Sequence, residues 1–151
     1  MFTLARRYVK TSFVFFLLGL LLGGYLAVSK ELLGTGVRPQ LPAAHGHILL
    51  VGFVIMLIMG IALWMFPRPA KDDTRYSPDV AAFTYWILTI ATLLRFFGEI
   101  ASAYAYFPIL PWVIAVGGLG QVAAGVLFVY NIWTRVRPVG SQFREAAGEK
   151  F

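Results

Sequence analysis

Cysteine is absent from this sequence of 151 residues, and charged side chains are scarce. Without cysteine, disulfides, thiolate metal sites and cysteine nucleophiles are all excluded. Charged residues make up 13% of the chain and apolar residues 59%, whereas charged residues reach about 25% in an ordinary soluble domain. The composition therefore indicates a membrane protein.

Four long apolar runs account for most of the chain. They cover residues 11–28, 42–66, 81–106 and 111–133. Each has close to the ~20 residues that a helix needs to cross a hydrocarbon core about 30 Å thick. Because that core has no water for the backbone N–H and C=O groups, each run is predicted to be a helix. We therefore expect an all-α fold, a single transmembrane four-helix bundle within residues 1–137.

Basic residues at the ends of the runs predict the orientation of the chain. The net charge of +6 indicates contact with lipid headgroups and not with nucleic acid, because the basic residues flank apolar segments. One side holds Arg6, Arg7, Lys10, Arg68, Lys71, Arg75, Arg135, Arg137, Arg144 and Lys150. The other side holds Lys30 and Arg38. The bias predicts a multi-pass protein of the cytoplasmic (inner) membrane, with both termini and a polar tail at 138–151 in the cytoplasm.

The first run is expected to be a retained helix and not a cleaved signal peptide, because no small-residue cleavage site precedes Lys30.

Uncommon polar residues occur in the third and fourth runs. Arg95 and Glu99 are four residues apart and share a helix face. Charges within a membrane are costly and usually face the interior of the helix bundle, so this pair is either a structural contact or part of a functional path. In the fourth run Gly117, Gln121 and Gly125 recur at spacings of four. That spacing indicates close helix packing, or a gap for a flat cofactor.

The two histidines, His45 and His47, lie together at the outer end of the second run. Two residues on a helix correspond to about 200° of rotation, so their side chains point to nearly opposite faces. They cannot hold one metal ion together, and each is expected to contact a different neighbour. His47 and Glu99 fall at similar depths in the outer half of the membrane. A simpler interpretation leaves His45 among the headgroups, with only His47 buried.

The segment from His45 to Arg68, HGHILLVGFVIMLIMGIALWMFPR, resembles a ligand-bearing helix of the heme-copper oxidase subunit I superfamily. Its histidine-rich start, Gly-Phe, later Gly and terminal Pro-Arg are also similar to NnrS-like membrane proteins. The LLRFFGE segment of the third run is similar to the Leu-Arg-x-x-Gly of those proteins. The resemblance covers the second and third runs.

In the oxidases, one helix carries a His-x-His whose two histidines bind two different hemes on opposite sides of the helix. The resemblance therefore implies that His45 and His47 ligate heme iron. It implies heme b as the cofactor, and electron transfer or binding of NO or another diatomic gas as the function. The chain has far fewer helices and histidines than an oxidase catalytic subunit and no match to the His-Tyr pair of the oxygen-reducing site. Oxygen reduction is not expected.

Four further residues are candidates for contacts with the heme. Gly52 would let a porphyrin approach the second helix, and Met56 would pack against it or provide a second axial ligand. Arg38 and Arg95 are candidate partners of the propionates, because guanidinium binds carboxylate through two hydrogen bonds.

The oxidase fold contains three similar arcs of four helices, and the resemblance implies that this chain is comparable to one arc. A homotrimer in the bilayer would rebuild the full arrangement, with a dimer as the main rival. A redox partner is also possible. Two other functions stay open: copper or zinc binding by His45, His47 and Glu99 of neighbouring subunits, or an accessory subunit or transporter in which the Arg95–Glu99 pair lines a proton path.

Overall fold

A computed structural model contains four long helices and describes residues 3–67, 69, 73–137, 140, 143–144 and 147–148. The helices are α1 (Thr3–Leu32), α2 (Gln40–Met65), α3 (Pro78–Tyr104) and α4 (Leu110–Arg135). Each is long and apolar enough to cross a membrane, and the described residues include no strand, so the all-α transmembrane prediction is confirmed. Most of the predicted tail at 138–151 lies outside the described residues, as do Arg68, Lys71 and Lys150.

All four helices begin before their apolar runs, and the difference is largest for α1 and α3. α1 begins at Thr3 and not near residue 11, because hydropathy detects the apolar middle of a helix and misses the polar turns that continue it. α3 begins at Pro78, three residues before the predicted start. There the Ser77 side chain accepts a hydrogen bond from the Val80 N–H (3.4 Å), and proline suits the first turn because its missing N–H is not needed.

The helices pack in chain order as an open arc. α1 packs along α2, α2 along α3, and α3 along α4, and over the described residues α4 does not close a bundle with α1. Tyr8 of α1 also reaches α3, where its hydroxyl donates to the Ala81 carbonyl (3.1 Å) and its ring meets that of Tyr85 at 5.1 Å. This open arrangement matches the expectation of a single oxidase-like arc.

The middle of α2 is wound as a π-helix. The helix is α-helical from Gln40 to His47, π-helical from Ile48 to Ile55, and α-helical again from Met56 to Met65. The π segment begins directly after His47. π-helical turns are rare and occur frequently at functional sites. The π segment therefore indicates that the histidine end of α2 is a candidate functional site.

Hydrogen bonds join the connection between α2 and α3 to the end of α4. The Asn131 side chain accepts from the Ser77 N–H (2.8 Å) and donates to the Ser77 carbonyl (3.0 Å). Asp73 accepts a hydrogen bond from the Thr134 hydroxyl (2.7 Å), and this bond is the main cause that lowers the pKa of Asp73. The start of α3 and the end of α4 are therefore joined by polar contacts.

Gly117 allows the backbones of α3 and α4 to approach closely. A Cβ atom on Gly117 would lie 2.8 Å from the Ala91 carbonyl oxygen and 2.9 Å from the Arg95 backbone nitrogen. A Cβ on Gly125 would meet nothing within 4 Å. The spacing of small residues thus reflects helix packing at Gly117, but not at Gly125.

We expect Gly117→Ala to destabilise the protein by about 1–3 kcal/mol, because the new methyl group meets backbone atoms that cannot turn aside. Gly125→Ala is the matched control and should leave stability unchanged. Thermal unfolding of both variants in detergent measures the difference. Equal midpoints for the two variants would show that α3 and α4 are less closely packed than this.

Candidate functional site

His45 and His47 contact different neighbouring helices, as their spacing predicts. His45 Nδ1 lies 3.0 Å from the Gly19 carbonyl oxygen of α1. Because a carbonyl only accepts, Nδ1 carries the proton, and Nε2 of the neutral ring holds the lone pair. Gly23 lies directly against this ring, since a Cβ atom there would be 2.6 Å from His45 Cε1. Two glycines of α1 therefore set the position and the tautomer of His45.

The second ring nitrogen of His45 is available to a ligand. Within the described chain, Nε2 makes no hydrogen bond, and it is not sealed from its surroundings. The ring is thus held from one side and keeps a free lone pair on the other.

His47 is held from both sides by α3. Its Nδ1 lies 2.8 and 3.0 Å from the two carboxylate oxygens of Glu99, and its Nε2 lies 2.7 Å from Arg95 Nη2. Arginine can only donate, so Nε2 accepts from Arg95 and the Nδ1–H donates to Glu99.

Arg95 is the centre of a polar cluster that joins three helices. Its Nε donates to Glu99 Oε1 (3.2 Å) and its Nη1 donates to Gln121 Oε1 of α4 (2.9 Å). Gln121 in turn donates to the Thr92 hydroxyl (3.3 Å). The Glu99 side chain is only 7% exposed, so these partners take the place of water around its carboxylate. We call this set of residues, His47, Thr92, Arg95, Glu99 and Gln121, the polar cluster.

Sequence analysis finds most of this cluster but not the part played by Gln121. The spacing of Gln121 between two glycines indicates that it faces another helix, without indicating which polar group it meets. One turn before Gln121, Gly117 lets α4 approach α3 closely. This close approach places the Gln121 side-chain amide beside the Arg95 guanidinium.

Gly52 and Met56 serve helix packing within the chain. A Cβ atom on Gly52 would lie 3.0 Å from the Phe15 ring of α1 and 3.0 Å from the Thr92 methyl group of α3. Met56 is completely buried in the apolar core. The face that a porphyrin would need at Gly52 is thus occupied by side chains of α1 and α3, and Met56 is enclosed in the core.

Arg38 joins the connection before α2 to the end of α3. Its Nη1 donates to the Ala103 carbonyl, and its guanidinium lies 5.1 Å from the centre of the Tyr104 ring. The residue is otherwise exposed, so its remaining donors are free to meet an anionic group near the membrane surface.

One chain does not bring together a set of metal ligands of the usual kind. In the part of the chain that the structure describes, no group of three or more His, Asp or Glu side chains could hold a metal ion. Copper or zinc binding through His45, His47 and Glu99 would therefore need residues from neighbouring chains. Heme iron needs fewer protein ligands, since a single histidine nitrogen can hold it.

Comparison with known proteins relates most of the chain to a family. The family model described as Cytochrome C and Quinol oxidase polypeptide I matches residues 3–145. The chain is 25% identical, over 167 aligned residues, to the probable cytochrome c oxidase subunit 1-alpha of Streptomyces avermitilis. It is 26% identical, over 168 residues, to cytochrome c oxidase subunit 1 of Corynebacterium efficiens. These alignments cover 94% and 93% of this chain but 29% of each relative. No solved structure matches the chain.

Proposed function

This chain belongs to the cytochrome c and quinol oxidase polypeptide I family, and from that premise we propose that it is a heme b-binding membrane protein with His45 as its first iron ligand. A bound heme would supply one-electron transfer or, with one axial position open, binding of NO or another diatomic gas. Because the chain spans 29% of the length of these relatives, their whole activity is not assigned to it.

The geometry of His45 is the observation that supports this proposal. Histidines that bind metals nearly always donate the other ring N–H to a carbonyl, a carboxylate or water, which fixes the tautomer and the direction of the ring. His45 has this arrangement, with Nδ1–H donated to Gly19 and Nε2 left free. The donor set therefore fits the demand of heme iron for a neutral imidazole nitrogen.

His47 is proposed as the ligand of a second heme on the opposite side of α2. Its Nδ1–H is oriented by the Glu99 carboxylate, which is the same type of support. Its Nε2 accepts from Arg95, so iron binding at His47 requires the guanidinium to withdraw. The released guanidinium would then be free to pair with a carboxylate such as a heme propionate. Arg38 is proposed for the same task near the membrane surface.

Because His45 and His47 contact different helices, one chain cannot hold one iron with both. We propose a homotrimer in which His45 of one subunit and His47 of the next face the same space. The open arc supports this, since a trimer would continue it into a closed ring. A twofold dimer would place like histidines on one iron and leave the other pair unused. In the bilayer, both termini are proposed to lie in the cytoplasm, with the histidines in the outer half of the membrane.

The purified protein is expected to show the Soret band of a b-type heme after expression in heme-supplied cells. Absorption spectra, metal analysis and native mass spectrometry of the same sample are the measurements. A trimer with up to one heme per chain agrees with the proposal, and a monomer that retains its full heme complement contradicts the trimer. Bound copper or zinc without a Soret band indicates a metal-binding protein, and neither signal indicates an accessory subunit or transporter.

A further inference from the structure

Arg135, at the end of α4, is a buried cation that caps another helix. Its side chain donates to three carbonyl oxygens at the end of α2, those of Leu63, Phe66 and Pro67, each at 2.9 Å. Its guanidinium lies 4.6 Å from the centre of the Tyr76 ring. Only 2% of the residue is exposed. The sequence alone predicts a surface charge at Arg135 that marks the side of the membrane, whereas the structure buries it.

The charge of Arg135 has no full counter-charge among the described residues. The three carbonyls carry only the partial negative charge of a helix end, and the ion pairs in the described chain involve other residues. Its donors at Nε and Nη2 are used, whereas Nη1 makes no hydrogen bond and is not sealed off. A buried guanidinium with one accessible nitrogen has room for an anion.

Arg135 lines a cavity of about 490 Å³ at this end of the helices. The volume falls in the range of small-ligand sites, about 300–1,000 Å³. All four helices contribute to its wall, which is mostly apolar: Leu4, Ala5, Leu63, Pro69, Tyr76, Pro78 and Arg135. Among the described residues that line it, the cavity thus combines an apolar wall with a single cation.

We propose that this cavity binds an anionic phospholipid, whose phosphate meets Nη1 of Arg135 and whose acyl chain lies along Leu4 and Leu63. The cavity lies at the ends of membrane-spanning helices, where lipid headgroups are found. Basic cavities between such helices attract anionic headgroups, and Arg6 and Arg7 add positive charge at the same end. A free phosphate would satisfy the guanidinium but leave the apolar wall in contact with water, so the lipid is the better occupant.

The test compares lipids in the intact protein. Wild-type protein in neutral detergent is titrated with phosphatidylglycerol, with phosphatidylcholine and with inorganic phosphate, and thermal unfolding and native mass spectrometry are recorded. We expect phosphatidylglycerol alone to raise the unfolding midpoint and to remain bound in the mass spectrum. An equal rise with phosphatidylcholine would overturn the proposal. An equal rise with inorganic phosphate would replace it with a small-anion site.

Variants separate the cavity from general surface charge. Arg135→Gln is expected to lower the apparent affinity for phosphatidylglycerol at least about tenfold, because a charge-assisted hydrogen bond is lost. Since this variant also loses the cap of α2, Leu4→Trp provides a second test. It fills the cavity and leaves Arg135 and its three carbonyl partners in place, and it should lower the affinity by a similar factor.

Arg75→Gln is the matched control, because Arg75 is exposed at the same end and carries the same charge. It should bind phosphatidylglycerol like the wild type. If Arg75→Gln loses as much affinity as Arg135→Gln, or if Leu4→Trp retains full affinity, the lipid does not occupy the cavity.

Discussion

Replacing His45 by Ala is expected to remove the Soret band of the purified protein while leaving four inserted helices. His45 is the one histidine whose Nε2 is free, so the variant loses the proposed first iron ligand together with a single hydrogen bond to the Gly19 carbonyl. Absorption spectra at equal protein concentration measure the loss, and circular dichroism checks the helices. Added imidazole should restore part of the band, because it can enter the space left by the side chain and supply the missing nitrogen.

Two adjacent glycines allow a matched test of the same site without removing the ligand. Gly23→Ala places a methyl group 2.6 Å from His45 Cε1 and must displace the ring, whereas Gly24→Ala meets nothing within 4 Å. We expect Gly23→Ala to weaken heme binding about 10-fold or more, as changes in the support of a ligand usually do. Gly24→Ala should bind heme normally. An unchanged spectrum in His45→Ala, or equal spectra in the two glycine variants, would show that His45 is not a ligand.

His47→Ala should change the spectrum and not abolish it, since it affects the second proposed position. It also removes a hydrogen-bond partner from both Arg95 and Glu99. For that reason it is a less direct test of ligation than His45→Ala, and an unchanged spectrum in both histidine variants contradicts the assignment of either residue.

The sequence predicts the four helices well because hydrophobic length is a strong signal when the solvent is a bilayer. It does not predict where a helix ends once the polar turns begin, as at Thr3, and it carries no sign of the π-helical turns that begin at Ile48. π-helical winding depends on how a helix fits its neighbours. The π-helical segment of α2 packs between α1 and α3.

The candidate site is predicted in part, and the reason lies in geometry. The opposed directions of His45 and His47 follow from helix rotation alone. The partner of each histidine depends on which helices are neighbours, and no pattern in a single sequence supplies that. Gly52 shows the limit clearly: its small size predicts a close approach, but the approaching atoms belong to Phe15 and Thr92. Arg135 shows it again, because a charge at the end of an apolar run is usually exposed and here is buried.

The second large effect is expected at the polar cluster. Glu99→Gln removes the only carboxylate that Arg95 contacts among the described residues. The guanidinium would then have no counter-charge among its remaining partners, Gln121 and His47. We expect a loss of about 3 kcal/mol, at the lower end of the range for breaking a buried pair, because 25% of the Arg95 side chain is exposed. Unfolding by denaturant in detergent is the measurement.

The double variant Arg95→Met with Glu99→Leu should be more stable than Glu99→Gln alone, because apolar residues of similar size leave no uncompensated charge in the membrane. It should not fully reach the wild-type stability, since His47 and Gln121 lose their partners.

Glu31→Gln is the control: the Lys30–Glu31 pair has a similar separation of 3.1 Å, but its side chains are 73% and 68% exposed. Exposed pairs contribute at most about 1 kcal/mol, so this change should have little effect. Equal stability of Glu99→Gln, the double variant and the wild type would show that water reaches Arg95 and that the polar cluster does not hold α2, α3 and α4 together.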